Sequence, residues 1–265
     1  MKNKISIITV CYNAEMCIEA TLKSVYMQNY RNIEYIIKDG GSTDKTNEII
    51  ETFIPQFEKK GIQIKYISKA DKGIYAAMNE AVLYASGEWV IFMNAGDFFY
   101  NEYVLSDVFE KREWNGTDIL YGHTLYRLSD KRAVIVNHSA EVLEFGWSLC
   151  HQSIFVKTEQ LKQVPFDCQY RIVADYDQML RLKKRGNVFT KVNTIISDVD
   201  REGVSNVAVA QRYRENDLLK KIYNLRFKKT SILTAYIKHF VRKLFPYIEA
   251  YFFEKRIRRK VLLYK

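Results

Sequence analysis

Three aspartates stand just behind apolar segments of this chain: Asp39 after IEYII, Asp97 after WVIFM and Asp175 after YRIVA. Carboxylates delivered to the end of a strand can hold a hard cation or take a proton from a hydroxyl. The stretch EWVIFMNAGDFFY (88–100) poses the question most sharply. Trp89 to Met93 is an apolar run of buried-strand length, and it ends in an amide, a glycine and a carboxylate. Asn94-Ala95-Gly96-Asp97 therefore brings oxygen ligands to a sheet rim, where α/β proteins bind ligands. The same four residues also fit a polar turn with Asp97 as the N-cap of a following helix. Asp39 opens DGGSTD, whose glycines permit a tight turn. Its hydroxyls and the helix start behind them suit an anion or a ribose. It is neither a Walker A loop nor a GxGxxG loop, and Asp39 acting only to shape the turn is the simpler alternative.

These residues need a scaffold, and the hydropathy pattern supplies one. Ile5–Val10, Ile33–Ile37, Ile62–Ile67 and Trp89–Met93 are expected to be strands. Between them, Ile18/Leu22/Val25/Tyr26, Ile49/Ile50/Phe53/Phe57 and Ala77/Ala81/Val82/Ala85 form helical stripes. Ser42, Thr43 or Asp44 can cap the second helix, and Gly87 marks the stop after the third. Regular alternation of strand and helix implies a mostly parallel central sheet with helices on both faces. In parallel strands Asp39 and Asp97 share one edge. Further on, DILYGHTLYRL, AVIVNHS and HQSIFVK suggest short strands, and YDQMLRLKKRGN a helix ending at Gly186-Asn187. Helical segments run from DREGVSN to the C-terminus, interrupted at Pro246.

Composition narrows the class. With 48% hydrophobic and 27% charged residues and 3 prolines the chain is globular, neither disordered nor collagen-like. The start MKNKISIITV gives no signal-peptide pattern, and no apolar span is long enough to cross a membrane. Four cysteines without CxxC spacing fit a reduced, cytoplasmic protein with no cysteine metal site. The net charge of +10 is concentrated: from Lys220 onward there are 14 Lys or Arg against 2 Glu, while the first 219 residues carry 27 basic against 29 acidic residues. A nucleic-acid groove across the main body is thereby excluded, and the tail has no recognisable nucleic-acid module.

The ordered set SIITVCYNAE, IEYIIKDGGSTDKT, ADKGIYAAMNEAV, ASGEWVIFMNAGDFF, HQSIFV and VADYDQMLRL resembles glycosyltransferase family 2, the inverting enzymes of the GT-A fold. DKGIYAAMN and MNAGD resemble the branch that builds bacterial surface polysaccharides. The likeness spans residues 4 to about 205 and implies a GT-A-like domain over 1–205 with a basic helical extension over 206–265.

The resemblance implies roles. Thr9, Val10, Tyr12 and Asn13 lie in the segment bordering the nucleotide base, with Tyr12 placed to stack on it. Asp39 matches the acid that accepts from the base edge, a contact that suits uracil and guanine alike. Lys72 pairs with phosphate or sugar, or is a solvated surface lysine. Asp97 aligns with the last acid of the family's DxD-like motif for Mn²⁺ or Mg²⁺, while Asn94 and Gly96 stand where the earlier acids would be. A single carboxylate implies weaker metal binding than two. Asp175 is the expected base; Asp177 is the alternative acid, and either can instead cap the helix. His151 and Gln152 border the acceptor or diphosphate side, unless His151 is structural. Arg201 and Ser205 belong to a segment that closes over the phosphates.

The implied function is transfer of a sugar, from a UDP-sugar by the family's commoner usage, to a glycan acceptor that is lipid-linked. A non-catalytic nucleotide-sugar or glycan-binding protein with a degenerate metal motif is the alternative. A membrane-surface scaffold acting through its tail is a third class. In the tail Ile232, Tyr236, Phe240 and Leu244 share a helical face flanked by Lys238, Arg242 and Lys243. Such a helix suits an anionic membrane surface at the inner face of the cell membrane, as well as packing on the domain or an oligomer contact.

Overall fold

The computed structural model describes residues 3–110, 112–129, 132–145, 149–200 and 208–225. Arg201, Ser205, the rest of DREGVSN after Asp200 and the basic tail from residue 226 lie outside the described residues. The elements follow in the order β1 (Ile5–Cys11), α1 (Ile18–Tyr26), β2 (Ile33–Asp39), α2 (Thr46–Lys59), β3 (Gln63–Ser68), α3 (Ile74–Val82), β4 (Trp89–Phe92), β5 (Asp97–Phe99), α4 (Val104–Phe109), β6 (Ile119–Ser129), β7 (Arg132–Val136), β8 (Ile154–Lys157), α5 (Thr158–Gln163), α6 (Ala174–Lys184), β9 (Phe189–Asp200) and α7 (Val209–Tyr223). Short 3₁₀ segments occupy Ala140–Phe145, which is kinked at Val142, and His151–Ser153.

One sheet runs β3-β2-β1-β4-β8-β6-β9-β5, with β7 paired to β6. It is parallel from β3 through β4 and mixed beyond, where β8 opposes both β4 and β6 while β6 and β9 run together. Strand periodicity sorts the core onto two faces. Ile5, Ile7 and Cys11 join Leu22, Phe57 and Leu105 of α1, α2 and α4, whereas Ile8 and Val10 join Met78, Leu161, Leu180 and Leu219 of α3, α5, α6 and α7. Helices thus cover both faces, as the alternating pattern requires.

Register carries the chemistry to one edge. Cys11 pairs with Asp39, and Asp39 with Ser68. Beyond β4 the chain stays beside β1, with Met93 N bonded to Ile8 O at 2.8 Å and Ala95 N to Val10 O at 3.2 Å. It then turns at Gly96, whose φ of 95° requires glycine. Asp97 opens β5 against β9 and α4 begins only at Val104. The helix-cap alternative for Asp97 is therefore excluded.

The opposite edge holds a buried acid with a purely structural arrangement. Glu34 accepts from Ser6 Oγ (2.5 Å), Ser86 N and Oγ (both 2.6 Å) and Gly87 N (3.0 Å), and pairs with Lys4 Nζ at 2.8 Å. Burial pushes this carboxyl up, but the Lys4, Ser6 and Ser86 hydrogen bonds outweigh it and lower it from 4.5 to about 2. A depressed carboxyl contributes stability that is present above about pH 4.5 and lost as pH falls toward 2. Glu34→Gln is expected to remove roughly 3 kcal/mol at pH 7, and the gap from wild type should close on acidification. Denaturant melts at pH 7 and pH 3 check this; a constant gap would contradict it.

Candidate active site

The first two rim loops are laced into one body. Asn13 takes left-handed backbone (φ 46°), which asparagine tolerates. Its N–H donates to Ser42 Oγ at 2.8 Å and its Oδ1 accepts from Thr43 N at 2.9 Å. Ala14 N donates to Thr46 Oγ1 (2.7 Å) and Glu15 N to Asp44 Oδ2 (3.1 Å). The start of α2 is closed by this lacing: Asp44 Oδ1 accepts from Thr46 N and Glu15 Oε2 from Lys45 N, both at 3.0 Å. The anion site expected there is thus filled by the chain's own carboxylates.

Of the residues placed at the base, Tyr12 is 64% exposed and Asn13 is exposed beside it. Thr9 and Val10 are interior. Thr9 Oγ1 donates to Met93 O at 2.6 Å and meets Tyr35 Oη at 2.7 Å, while Val10 packs in the core. Asp39 is fully buried; its Oδ2 accepts from Gly41 N (2.9 Å), Ser42 N (2.9 Å) and Ser68 Oγ (2.8 Å), and its Oδ1 from Ser42 Oγ. Burial raises this carboxyl, yet the Ser42, Ser68 and Gly41 bonds prevail and hold it below the usual range. Asp39 stays ionised and builds the loop.

A second acid stands beside the Tyr12 ring. Asp71 Oδ2 is 3.0 Å, and Tyr12 Cδ2 3.3 Å, from the point that a side chain at Gly40 would fill. The Tyr12 ring therefore rests on a bare glycine with a carboxylate beside it. Asp71 Oδ1 accepts from Gly73 N at 2.8 Å, and Oδ2 pairs with Lys38 Nζ at 3.3 Å. Lys38 is fully buried and also donates to Asp39 O (2.8 Å) and Lys69 O (2.5 Å), tying the end of β2 to the turn before α3. Lys72 is exposed on that turn. The lysine holding the rim is Lys38, hidden in a strand where sequence reasoning had no cue to look.

At the turn behind β4, Asp97 Oδ2 accepts from Gln152 Nε2 at 3.0 Å, and Gln152 Oε1 takes the Cys150 thiol at 2.8 Å. Burial pushes Asp97 up from 3.8 to about 6, against the opposing pull of His151 and Gln152. Asn94 Nδ2 lies 3.4 Å from His151 Nε2, and Asn94 Oδ1 is buried with no hydrogen-bond partner. An orphaned acceptor oxygen in the turn that ends at a carboxylate fits a hard cation, which takes oxygen ligands and completes its shell with phosphate and water. Among the described residues no group of three His, Cys, Asp or Glu is placed to hold a metal alone.

His151 connects this turn to Asp175. Its Nδ1 is 3.3 Å from Asp175 Oδ2, to which it donates, while Nε2 lies against the Asn94 amide. Burial lowers the imidazole, but the Asp175 hydrogen bond and the charges of Asp175 and Asp97 raise it above its ordinary value. Asp175 Oδ1 accepts from Tyr176 N (2.8 Å) and faces Tyr75 Oη at 3.3 Å. Burial keeps the Tyr75 hydroxyl protonated, and its single proton is shared between Ile172 O at 2.9 Å and Asp175 Oδ1. Asp177 turns elsewhere, to Arg181 Nε (2.7 Å) and Tyr223 Oη (2.7 Å), and anchors helices. Lys38, Asp71 and Tyr75 were missed from sequence, although Lys38 lies in IEYIIKDGGSTDKT and Asp71 and Tyr75 lie in DKGIYAAMN, segments already singled out.

Residues 6–172 match the family model described as Glycosyl transferase family 2. A PGL/p-HBAD biosynthesis glycosyltransferase of Mycobacterium bovis is 29% identical over 212 residues, spanning 78% of this chain and 81% of that protein. A solved TarS fragment of S. aureus in complex with UDP-GlcNAc aligns with a TM-score of 0.65 at 20% identity, over 85% of this chain and 68% of that one. A Pyrobaculum calidifontis mannosyltransferase solved with GDP-Man and Mn²⁺ gives 0.65 at 16% identity, over 91% and 70%. Since the matched segment includes both laced loops, the NAGD turn and His151, the chain belongs to glycosyl transferase family 2 and has its GT-A fold.

Proposed function

We propose that the protein is a metal-dependent, inverting glycosyltransferase that moves a sugar from a nucleotide diphosphate donor, a UDP-sugar first, to a hydroxyl of a glycan. The observation that carries this is one rim holding both halves of the reaction. Asn94, with its free oxygen, and Asp97 sit on the leaving-group side, and Asp175 is joined to them through His151. The base stacks on Tyr12, and the Asp71 carboxylate accepts its ring N–H; Asp39 acts one layer below by shaping the loop. A divalent cation held by Asp97 and Asn94 would offset charge on the departing diphosphate. Asp175 takes the proton of the attacking hydroxyl as the new anomeric C–O bond forms and the bond to the diphosphate breaks from the opposite face. His151 donates to Asp175 through Nδ1, which orients the carboxylate.

The acceptor is read as a lipid-linked glycan of a surface polysaccharide, on the strength of the strongly basic tail and a relative named for PGL/p-HBAD biosynthesis. Residues 1–205 together with helix α7 would then form the catalytic unit, with the rest of the basic extension guiding it to the inner face of the membrane; no described helix is long and apolar enough to cross one. Calorimetric titration of UDP, GDP and dTDP, each with and without Mn²⁺, tests the donor side. One nucleotide should bind with metal present, and Tyr12→Ala should weaken it about tenfold, since stacking on an aromatic contributes about 1–3 kcal/mol. Absence of binding by all three would sink the transferase reading. Binding without any Mn²⁺-dependent donor hydrolysis would favour a non-catalytic nucleotide-sugar binder.

A further inference from the structure

Helix α7 carries a buried carboxylate that the chemistry above leaves unused. Glu215 is 5% exposed, and both of its carboxylate oxygens reach the segment entering α6. Oε1 accepts from Arg171 N at 2.9 Å, and Oε2 from Ile172 N at 2.9 Å and Val173 N at 3.1 Å. Gln211 Nε2, one turn earlier on α7, braces Oε1 at 2.7 Å. The α6 entry has no side-chain cap of its own, because its N-cap position is Val173. Glu215 thus supplies from a remote helix the negative charge and acceptor oxygens that a helix start favours.

The path from this clamp to the base is short. The Ile172 peptide is held on both sides: its N–H by Glu215 and its C=O by Tyr75 Oη at 2.9 Å. The same Tyr75 hydroxyl faces Asp175 Oδ1 at 3.3 Å. Displacing that peptide moves the first turn of α6 and shifts the hydroxyl that helps aim the carboxylate. Helix α7 is itself fixed by Leu219 in the core and by Tyr223 on Asp177.

We propose that Glu215 is a positioning residue for Asp175, acting through the Ile172 peptide and Tyr75. Helix α7 thereby belongs to the catalytic apparatus. This rests on the transferase reading above. A purely structural Glu215 would only fasten α7, and its loss would lower the melting temperature without singling out turnover.

The test uses the full chain with Mn²⁺ and the donors UDP-glucose, UDP-GlcNAc, UDP-galactose and GDP-mannose, reading nucleotide release to water, with nucleotide binding by calorimetry. Glu215→Gln keeps the shape but puts an amide NH₂ against backbone N–H groups. It should lower kcat about 10- to 100-fold, the scale of a small misplacement. Donor KM and nucleotide affinity should stay within about twofold, since Tyr12, Asp71 and Asp97 are untouched. Glu215→Asp, which keeps the charge, should recover part of the loss. Tyr75→Phe should also lower kcat selectively, and the double variant with Glu215→Gln should be little worse than either alone, as expected for one path. Wild-type kcat in Glu215→Gln, a parallel loss of donor binding, or losses that multiply in the double variant would overturn the assignment alone. If Glu215→Gln does not fold, Glu215→Asp decides: a kcat loss at unchanged donor KM supports the assignment, and unchanged kcat overturns it. A wild type that neither binds a nucleotide nor hydrolyses any of these donors overturns the transferase reading and this assignment with it.

Discussion

Asp97→Asn is expected to melt several degrees above wild type in the absence of metal while losing Mn²⁺-dependent nucleotide binding. The carboxyl is pushed up from 3.8 to about 6, chiefly by burial, so the fold disfavours its charged form. A raised carboxyl pKa means that the stability it confers is fully present below about pH 3.8 and is lost as pH rises through about 6. At pH 7.5 the penalty is roughly 3 kcal/mol, and an amide relieves it while its oxygen still accepts from Gln152. The advantage of the variant should therefore vanish at pH 4, where wild-type Asp97 is neutral in the fold. Added Mn²⁺ with nucleotide should restore wild-type stability and leave the variant unmoved. Calorimetric melts at the two pH values, with and without Mn²⁺ and UDP, read all of this. Equal melting points at pH 7.5 with metal-dependent binding intact would remove Asp97 from the metal site.

Asp175→Asn is expected to leave nucleotide affinity unchanged and to lower turnover by about 10²- to 10⁴-fold, the usual weight of a positioned general base. Asparagine keeps the acceptor for Tyr176 N and Tyr75 but cannot take a proton. Asp177→Asn is the discriminating control. It weakens the pairing with Arg181 and Tyr223, so it should melt lower yet turn over at close to the wild-type rate. Azide, a nucleophile that brings no proton, should restore part of the turnover of Asp175→Asn, because it needs no base. Comparable turnover in wild type and Asp175→Asn would end the case for this residue, and the reverse pattern would move the base to Asp177.

The parallel half was legible because its signals are undiluted. Strands β1, β2 and β4 are buried along their whole length, so they read as mostly apolar runs, and α1 and α2 carry clean 3.6-residue stripes. The far half hides its strands. Thr124, Ser153 and Ser197 are buried and linked by hydroxyl contacts of 2.7 and 2.6 Å, with His138 on Thr124 at 2.8 Å. Polar residues inside the core break the alternation that would announce β9, which drew no strand prediction, whereas DILYGHTLYRL was expected as a strand and forms β6. The site divides in the same way. Asp97 was visible as a carboxylate behind an apolar run, but choosing Asp175 over Asp177 needed the family resemblance, since both lie in the first turn of α6. Lys38 and Asp71 escaped because their roles arise from strand pairing between distant segments, which spacing along one chain does not encode.

The lacing of the two rim loops has a consequence for swapping specificity. Five backbone amides and the side chains of Asn13, Glu15, Ser42, Asp44 and Thr46 are shared across the boundary. Neither segment keeps its shape without the other, so residues 11–17 and 39–46 act as a single transplantable cassette. A chimera that imports one loop from a relative with different donor preference should lose the shelf under Tyr12, whereas importing both together should carry the preference with it.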